Sequence, residues 1–338
     1  MTVTLTLIGL GQIGTSIGLA LSEHTHLLTR RGYDKQLGNA RKAEKMGALD
    51  KVYINLPNAV QDADIILMAL PLHEIRATLE IILPDLKEGA VVMDTSPVKG
   101  ALAQWAADLL PAERYYIGLT PVINPSYLQT PELGQEAARP DLFKGTPMLI
   151  AAPPNTASAA VKLAADLTRL LQATPLFVDL AEIDSLMAAT DTLPKLIAAA
   201  LVNATVNQPG WHEGRKLAGR AYTEATAPVL LNSSPQALRN SALLNQHNVL
   251  RALDSFIGAL QALREDIANQ DSAALNERLQ RARDGREHWW KQRFAADWTL
   301  PETPKMELPS ASEVFSRLLG MNRRKPVFPT DDETKSDG

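Results

Sequence analysis

The stretch VTLTLIGLGQIGTSIGLAL, residues 3–21, decides the fold class. Its first six residues, Val3–Ile8, hold only aliphatic residues and threonine, the composition of a strand buried on both faces. Glycines follow at 9, 11 and 14, and apolar residues at helical spacing run from Gln12 onward. A strand, a glycine turn and a helix in that order make a cradle for a diphosphate. Gly9 permits the tight turn, Gly11 lets backbone approach a pyrophosphate, and Gly14 lets helix and strand pack closely. The helix tip then presents N–H groups and the positive end of a dipole. Gly9, Leu10, Gly11, Gln12, Ile13 and Gly14 are therefore the candidate cofactor-binding residues. A glycine-rich turn with no ligand is the alternative.

Asp34 ends the next apolar run, Leu27–Tyr33, twenty positions after Gly14. A carboxylate there accepts hydrogen bonds from ribose hydroxyls and repels a 2′-phosphate, so NAD is expected over NADP. Arg30, Arg31 and Lys35 stand nearby and weaken that exclusion of NADP. Two more strand ends, Leu70-Pro71 and Asp94-Thr95-Ser96-Pro97, fall at the sheet edge where ligands of such folds bind. Leu70, Pro71 and Thr95 join the cofactor candidates. Ser96 either caps the following helix or bonds the nicotinamide ribose or the substrate.

Apolar runs and helical segments alternate through the first half: strands at 64–70, 90–94, 115–119 and 147–151, helices at 12–22, 35–46, 74–83 and 101–110. That alternation predicts an α/β Rossmann-type, doubly wound parallel sheet over residues 1–179. Residues 120–146 hold four prolines and little periodicity, a functional loop. Residues 180–296 read as an all-α domain, with helices at 182–208, 235–270 and 272–293. The stretch LIAAALVNATV within it is apolar all round and suits a subunit interface. Residues 297–338 form a proline- and charge-rich extension, with a short helix expected at 310–319 and disorder at the end.

The 338 residues carry a net charge of −4, which argues against nucleic acid or an anionic membrane as partner. No cysteine is present, so disulfides and thiolate chemistry are excluded. No uninterrupted apolar run reaches the roughly 20 residues of a membrane span, and the N-terminus has no signal-peptide pattern. A cytoplasmic location is the expectation. His24, His26, His247 and His288 show no ligand spacing, and no metal site is expected.

The collinear pieces LIGLGQIGTSIGLAL, GYD, ADIILMALPLHEI, VVMDTSPVKG, YIGLTPV, LFKGTPMLIA and EIDSLMAATDTLPKLIAAALVN resemble the prephenate and arogenate dehydrogenase family. The likeness runs from about residue 3 to 270. It implies a Rossmann domain, a helical dimerisation domain giving a homodimer, and oxidative decarboxylation of a small carboxylate substrate in tyrosine biosynthesis. That chemistry needs a proton acceptor at the substrate hydroxyl and cations for the carboxylates.

The resemblance also exposes departures. The family typically has His-Pro where Thr120-Pro121 stands, Gly-Ser where Ser96-Pro97 stands, and often a histidine where Thr192 stands. Its carboxylate-binding arginine falls on Val229. Three readings stay open: a divergent prephenate or arogenate dehydrogenase, a dehydrogenase of another small acid such as a β-hydroxyacid, and a regulatory dinucleotide-binding pseudoenzyme. Lys195, Ser96 and Thr120 are the catalytic candidates, Lys195 as base or fixed cation. Thr120 can hydrogen-bond a substrate but cannot act as a base at neutral pH. Thr192, Arg220 and His212 are the substrate-binding candidates; Arg220 offers a bidentate fork in place of the missing clamp, and His212 a replacement base. The alternative for each is an ordinary structural or solvated residue. His73 reads as a surface or cofactor-adjacent residue, and the tryptophans at 289, 290 and 298 as a buried stripe.

Overall fold

The computed structural model describes residues 2–231 and 234–296. Eight strands form one sheet: β1 (Val3–Ile8), β2 (Leu28–Tyr33), β3 (Lys51–Val52), β4 (Ile65–Met68), β5 (Val91–Asp94), β6 (Tyr115–Pro121), β7 (Pro147–Ala151) and β8 (Thr174–Phe177). They lie in the order 3-2-1-4-5-6-7-8. Strand order reverses between β1 and β4, where Ile8 sits opposite Met68, and this switch point opens a crevice at the carboxyl edge.

The helices of this half are α1 (Gln12–Ala20), α2 (Leu37–Lys45), α3 (Leu56–Val60), α4 (Leu72–Ile82), α5 (Gly100–Leu109) and α6 (Ser158–Leu170). Alternate residues of each strand feed two cores. Leu5, Leu7, Ile65 and Leu67 pack with α1, α2 and α6, while Ile8, Ile66, Met68 and Val92 pack with α3, α4 and α5. Burial on both faces is why these strands read as unbroken apolar runs.

The expectation of an all-parallel sheet needs one correction. β7 runs antiparallel to β6, and β8 parallel to β7. Between β6 and β7 lie two short 3₁₀ turns, Pro125–Tyr127 and Gly134–Ala137, and no crossover helix. A parallel return needs such a crossover.

The helical half comprises α7 (Leu180–Met187), α8 (Leu193–Thr205), α9 (Trp211–Leu217), α10 (Arg220–Thr226), α11 (Pro235–Leu244), α12 (Gln246–Ala268) and α13 (Ser272–Ala295). The single helix expected over 182–208 runs without interruption over Leu180–Thr205, with a π-helical turn at Ala188–Thr192. Pro194 stands just beyond; it lacks an N–H and crowds the preceding turn, which accounts for the widened π turn. The helix expected over 235–270 divides at Asn245, whose side chain is drawn to the carbonyl of Asp184 instead. The segment around Trp211 and Arg220, which lies between the expected helices, forms α9 and α10.

Apolar residues of this half are left uncovered. In α8 only Ala198 is buried, and in α12 only Val249. By length and hydropathy the run Leu180–Thr205 is apolar enough to cross a membrane. Glu182, Asp184, Asp191 and Lys195 interrupt it. The expected helix at 310–319, the disordered end and Trp298 lie outside the described residues.

Candidate active site and dinucleotide cleft

The glycine turn has the shape a diphosphate needs. Gly9 adopts φ +89°, and a Cβ there would stand 2.5 Å from the carbonyl oxygen of Ala69. A Cβ on Gly14 would stand 2.0 Å from the carbonyl oxygen of Gly9, so only glycine lets α1 leave the strand this tightly. A Cβ on Gly11 would meet nothing within 4 Å. The turn is thus closed behind and open in front. No side chain caps α1 and no acid occupies its first turn, which suits an anionic ligand at that tip. Gln12 reaches the carbonyl of Ala137 at 3.3 Å, and Ile13 packs into the core. The residues present therefore fit a dinucleotide.

Asp34 faces this turn. Its Oδ2 accepts the Leu10 N–H at 2.8 Å, and its Oδ1 accepts from Gln36 N at 2.8 Å and Asn39 Nδ2 at 3.3 Å. The three neighbouring cations each have a partner in the structure. Arg30 is buried, clasping Asp50 and the carbonyls of Gly18 and Gly47. Arg31 bonds the Gln61 carbonyl and lies over Tyr53, and Lys35 pairs with Glu74. Each has a partner because strand alternation and helix α4 bring one within reach.

Leu70 packs against Gly9, Pro71 opens α4, and the Thr95 N–H ties β5 to the carbonyl of Met68 at 3.1 Å. These three stand at the carboxyl edge beside the glycine turn.

A buried polar centre lies at the ends of β5 and β6. Lys99 and Asp94 are wholly withdrawn from solvent and pair at 2.8 Å. Asp94 also accepts from Ser96 Oγ at 2.5 Å, Ser96 N at 2.7 Å and the Tyr116 hydroxyl at 2.6 Å. Burial pulls the Lys99 ammonium below the usual lysine range despite Asp94 beside it. Burial, then the Asp94 charge, pushes the Tyr116 phenol well up. Asp184, from α7, caps α5: its Oδ1 accepts from Lys99 N at 2.6 Å and its Oδ2 from Gly100 N at 3.0 Å. Burial raises its carboxyl above the ordinary value, against those two backbone bonds. Ser96 therefore does not cap α5. Its one hydroxyl hydrogen goes to Asp94 Oδ1 at 2.5 Å, with the Val98 carbonyl 3.1 Å away, and Asp184 occupies the helix tip.

The other candidates divide into two groups. Thr120 is buried on β6, and its Oγ1 has no partner among the described residues. Thr192 is buried in the π-helical turn. Lys195 is largely buried and donates to both oxygens of Asp191, at 2.7 and 2.8 Å, so it is no isolated amine. Arg220 and His212 are not drawn into this region. Arg220 is 90% exposed and pairs with Glu224 one helical turn away, and His212 is 73% exposed beside Glu213. Their helices present them to solvent, which a linear reading of the segment could not tell. His73 sits in the first turn of α4 with a buried Nδ1 that lacks a partner.

Lys99, Tyr116, Asp184 and Asn245 are not singled out by the sequence, and Asp94 is singled out only as part of a strand end. Lys99 and Asp184 do lie inside the DTSPVKG and EIDSLM stretches, a signal that ionisable residues within apolar motifs are worth testing for burial. Gln135, which bonds Thr15 Oγ1 at 3.2 Å and the Asn39 carbonyl at 2.9 Å, carries no such signal.

Comparison with known proteins agrees with this geometry. Residues 17–175 match the family model described as prephenate dehydrogenase, nucleotide-binding domain, and residues 179–281 match prephenate dehydrogenase, dimerization domain. The first match begins after the glycine turn, so the turn is independent support. A cyclohexadienyl dehydrogenase of Zymomonas mobilis is 26% identical over 285 residues, covering 83% of this chain and 94% of that protein. The solved prephenate dehydrogenase from A. aeolicus, in complex with hydroxyphenyl propionate and NAD+, superposes with a TM-score of 0.74 at 21% identity, over 85% of this chain and 98% of that one. The Synechocystis arogenate dehydrogenase gives 0.66 at 24%, over 85% and 99%. With both halves matched by its models and the fold shared with its solved members, this chain belongs to the prephenate dehydrogenase family.

Proposed function

We infer that the protein is an NAD-dependent dehydrogenase that oxidises and decarboxylates prephenate or arogenate. The observation that carries this reading is the family match over both halves, joined to a glycine turn whose facing acid is held and uncompensated by free cations. Bound NAD+ supplies the hydride acceptor. The chain supplies the cleft at the carboxyl edge of the sheet, between Ser96, Thr120 and the turn from Thr192 to Lys195. Thr120, with its buried unpartnered hydroxyl, is ready to bond the substrate hydroxyl. It holds that group without removing its proton. Lys195 is a fixed cation steadied by Asp191 and suits a substrate carboxylate. Loss of hydride, the hydroxyl proton and carbon dioxide leaves an aromatic ring, a driving force that lessens what a base must contribute.

A second copy of the chain is the natural cover for the apolar faces of α8 and α12, given that the helical half matches a dimerization domain. One observation favours a second reading, a dinucleotide-binding protein without turnover: Thr120 stands where the family has a histidine, and a hydroxyl cannot act as a base at neutral pH. Assays of NAD+ and NADP+ reduction with prephenate and with arogenate decide between them. Turnover with either acid and a preference for NAD+ is expected. Dinucleotide binding with no turnover on either acid removes the first reading and leaves the second.

A further inference from the structure

The 3₁₀ turn Gly134–Ala137 lies midway along the loop that begins beside Thr120 and leads to β7, and it rests on the glycine-turn helix. Gln12 bonds the Ala137 carbonyl, and the Arg139 N–H bonds Ser16 Oγ at 3.0 Å. Lys42 of α2 pairs with Glu136. At the centre Gln135 Nε2 gives one hydrogen to Thr15 Oγ1 and the other to the Asn39 carbonyl. The orientation of that amide follows from chemistry: a backbone carbonyl only accepts, so the nitrogen must face Asn39.

These bonds close a ring. Thr15 Oγ1 donates to the Leu10 carbonyl at 2.9 Å, and the Leu10 N–H donates to Asp34 Oδ2. Asn39 Nδ2 donates to Asp34 Oδ1, and the Asn39 carbonyl returns to Gln135. Asp34 Oδ1 is thus held by Asn39, which Gln135 holds directly, and Oδ2 by Leu10, one hydrogen bond beyond Thr15. Every other member of the ring comes from residues 10–39; Gln135 alone comes from a loop about a hundred residues later.

We propose that Gln135 is a positioning residue for the dinucleotide: acting through Thr15 and Asn39, it sets the Asp34 carboxylate against the glycine turn and so sets the preference for a ribose 2′-hydroxyl over a 2′-phosphate. The proposal rests on the dinucleotide reading given above. A carboxylate excludes a 2′-phosphate only while it points at that position, and the three nearby cations are committed elsewhere. Releasing Asp34 therefore costs NAD+ its hydrogen bonds and spares NADP+ its repulsion.

The test is calorimetric titration of the full chain with NAD+, NADP+ and ADP-ribose, in the wild type and in Gln135→Ala and Gln135→Met. Methionine fills the same length without a donor and keeps the packing if alanine does not fold. Both variants are expected to bind NAD+ and ADP-ribose about tenfold more weakly. NADP+ is expected to bind no more weakly than to the wild type, so the ratio of the two affinities falls by about the same factor. A loosened structure would weaken both nucleotides together, and that outcome overturns the proposal. So does NAD+ affinity within twofold of the wild type. If the wild type binds none of the three ligands, the dinucleotide reading fails first and this inference with it.

Discussion

Lys99 is the largest of the side chains fully withdrawn from solvent among the described residues. Its ammonium is held by the carboxylate and carbonyl of Asp94, and its stem fills the space over Gly118, where a Cβ would stand 2.6 Å from Cδ. A buried ion pair is weak evidence for stability, yet removing one partner is expensive because the other charge is left unpaired. Lys99→Met is therefore expected to cost about 3–5 kcal/mol, with the loss read from the midpoint of urea unfolding. A midpoint unchanged from the wild type would reject the pair as a contact the native protein depends on. Such residues were hard to read in sequence: a lysine three residues after Ser96 looks like any surface lysine until the strands on either side close over it. Asp34 shows the opposite case. Its role follows from its place at the end of a strand, so its identity alone announced it.

At the scale of the element, the glycine turn separates two effects of adding one methyl group. Gly14→Ala places a Cβ against the carbonyl of Gly9, so turn or helix must move. A cost of about 1–3 kcal/mol in stability is expected along with weakened NAD+ binding. Gly11→Ala meets no protein atom. Its melting temperature is expected to match the wild type within a degree or two, while NAD+ affinity falls about tenfold or more as the methyl enters the space reserved for pyrophosphate. Measuring both quantities on both variants checks the assignment. Unchanged affinity in folded Gly11→Ala would place the ligand elsewhere. Elements with a strong period were legible: β1, β2, β7 and α13 stand within two residues of their expected bounds. Short ones were not. β3, with two residues, and α3, with five, are too brief to show a period, and tertiary hydrogen bonds rather than local pattern hold them in place.

On the scale of the whole molecule, the unsettled surface is the apolar side of the helical half. Leu250, Ile257 and Leu260 of α12 are each close to half exposed, and Leu186 on α7 likewise. Contiguous apolar surface of this kind marks an interface. Light scattering during gel filtration is expected to give twice the mass of one chain. Ile257→Glu, which sets a charge on that face, is expected to shift the population toward the monomer. A wild type that elutes as a monomer at micromolar concentration would reject the interface.

The sequence by itself determined the cofactor half: glycines at fixed offsets, an acid at a strand end and runs of aliphatic residues are local signals, and local geometry reads them out. It also determined that the second half is helical, because period 3.6 survives over long segments. Only the tertiary structure decided which candidates meet. Arg220 and His212 turned to solvent, and Arg30 turned inward. Gln135 closed a ring with residues about a hundred positions away, and Asp184 capped a helix from the other half. The reason is physical: a hydrogen bond between distant residues depends on how whole layers pack, and no short window of sequence contains that packing.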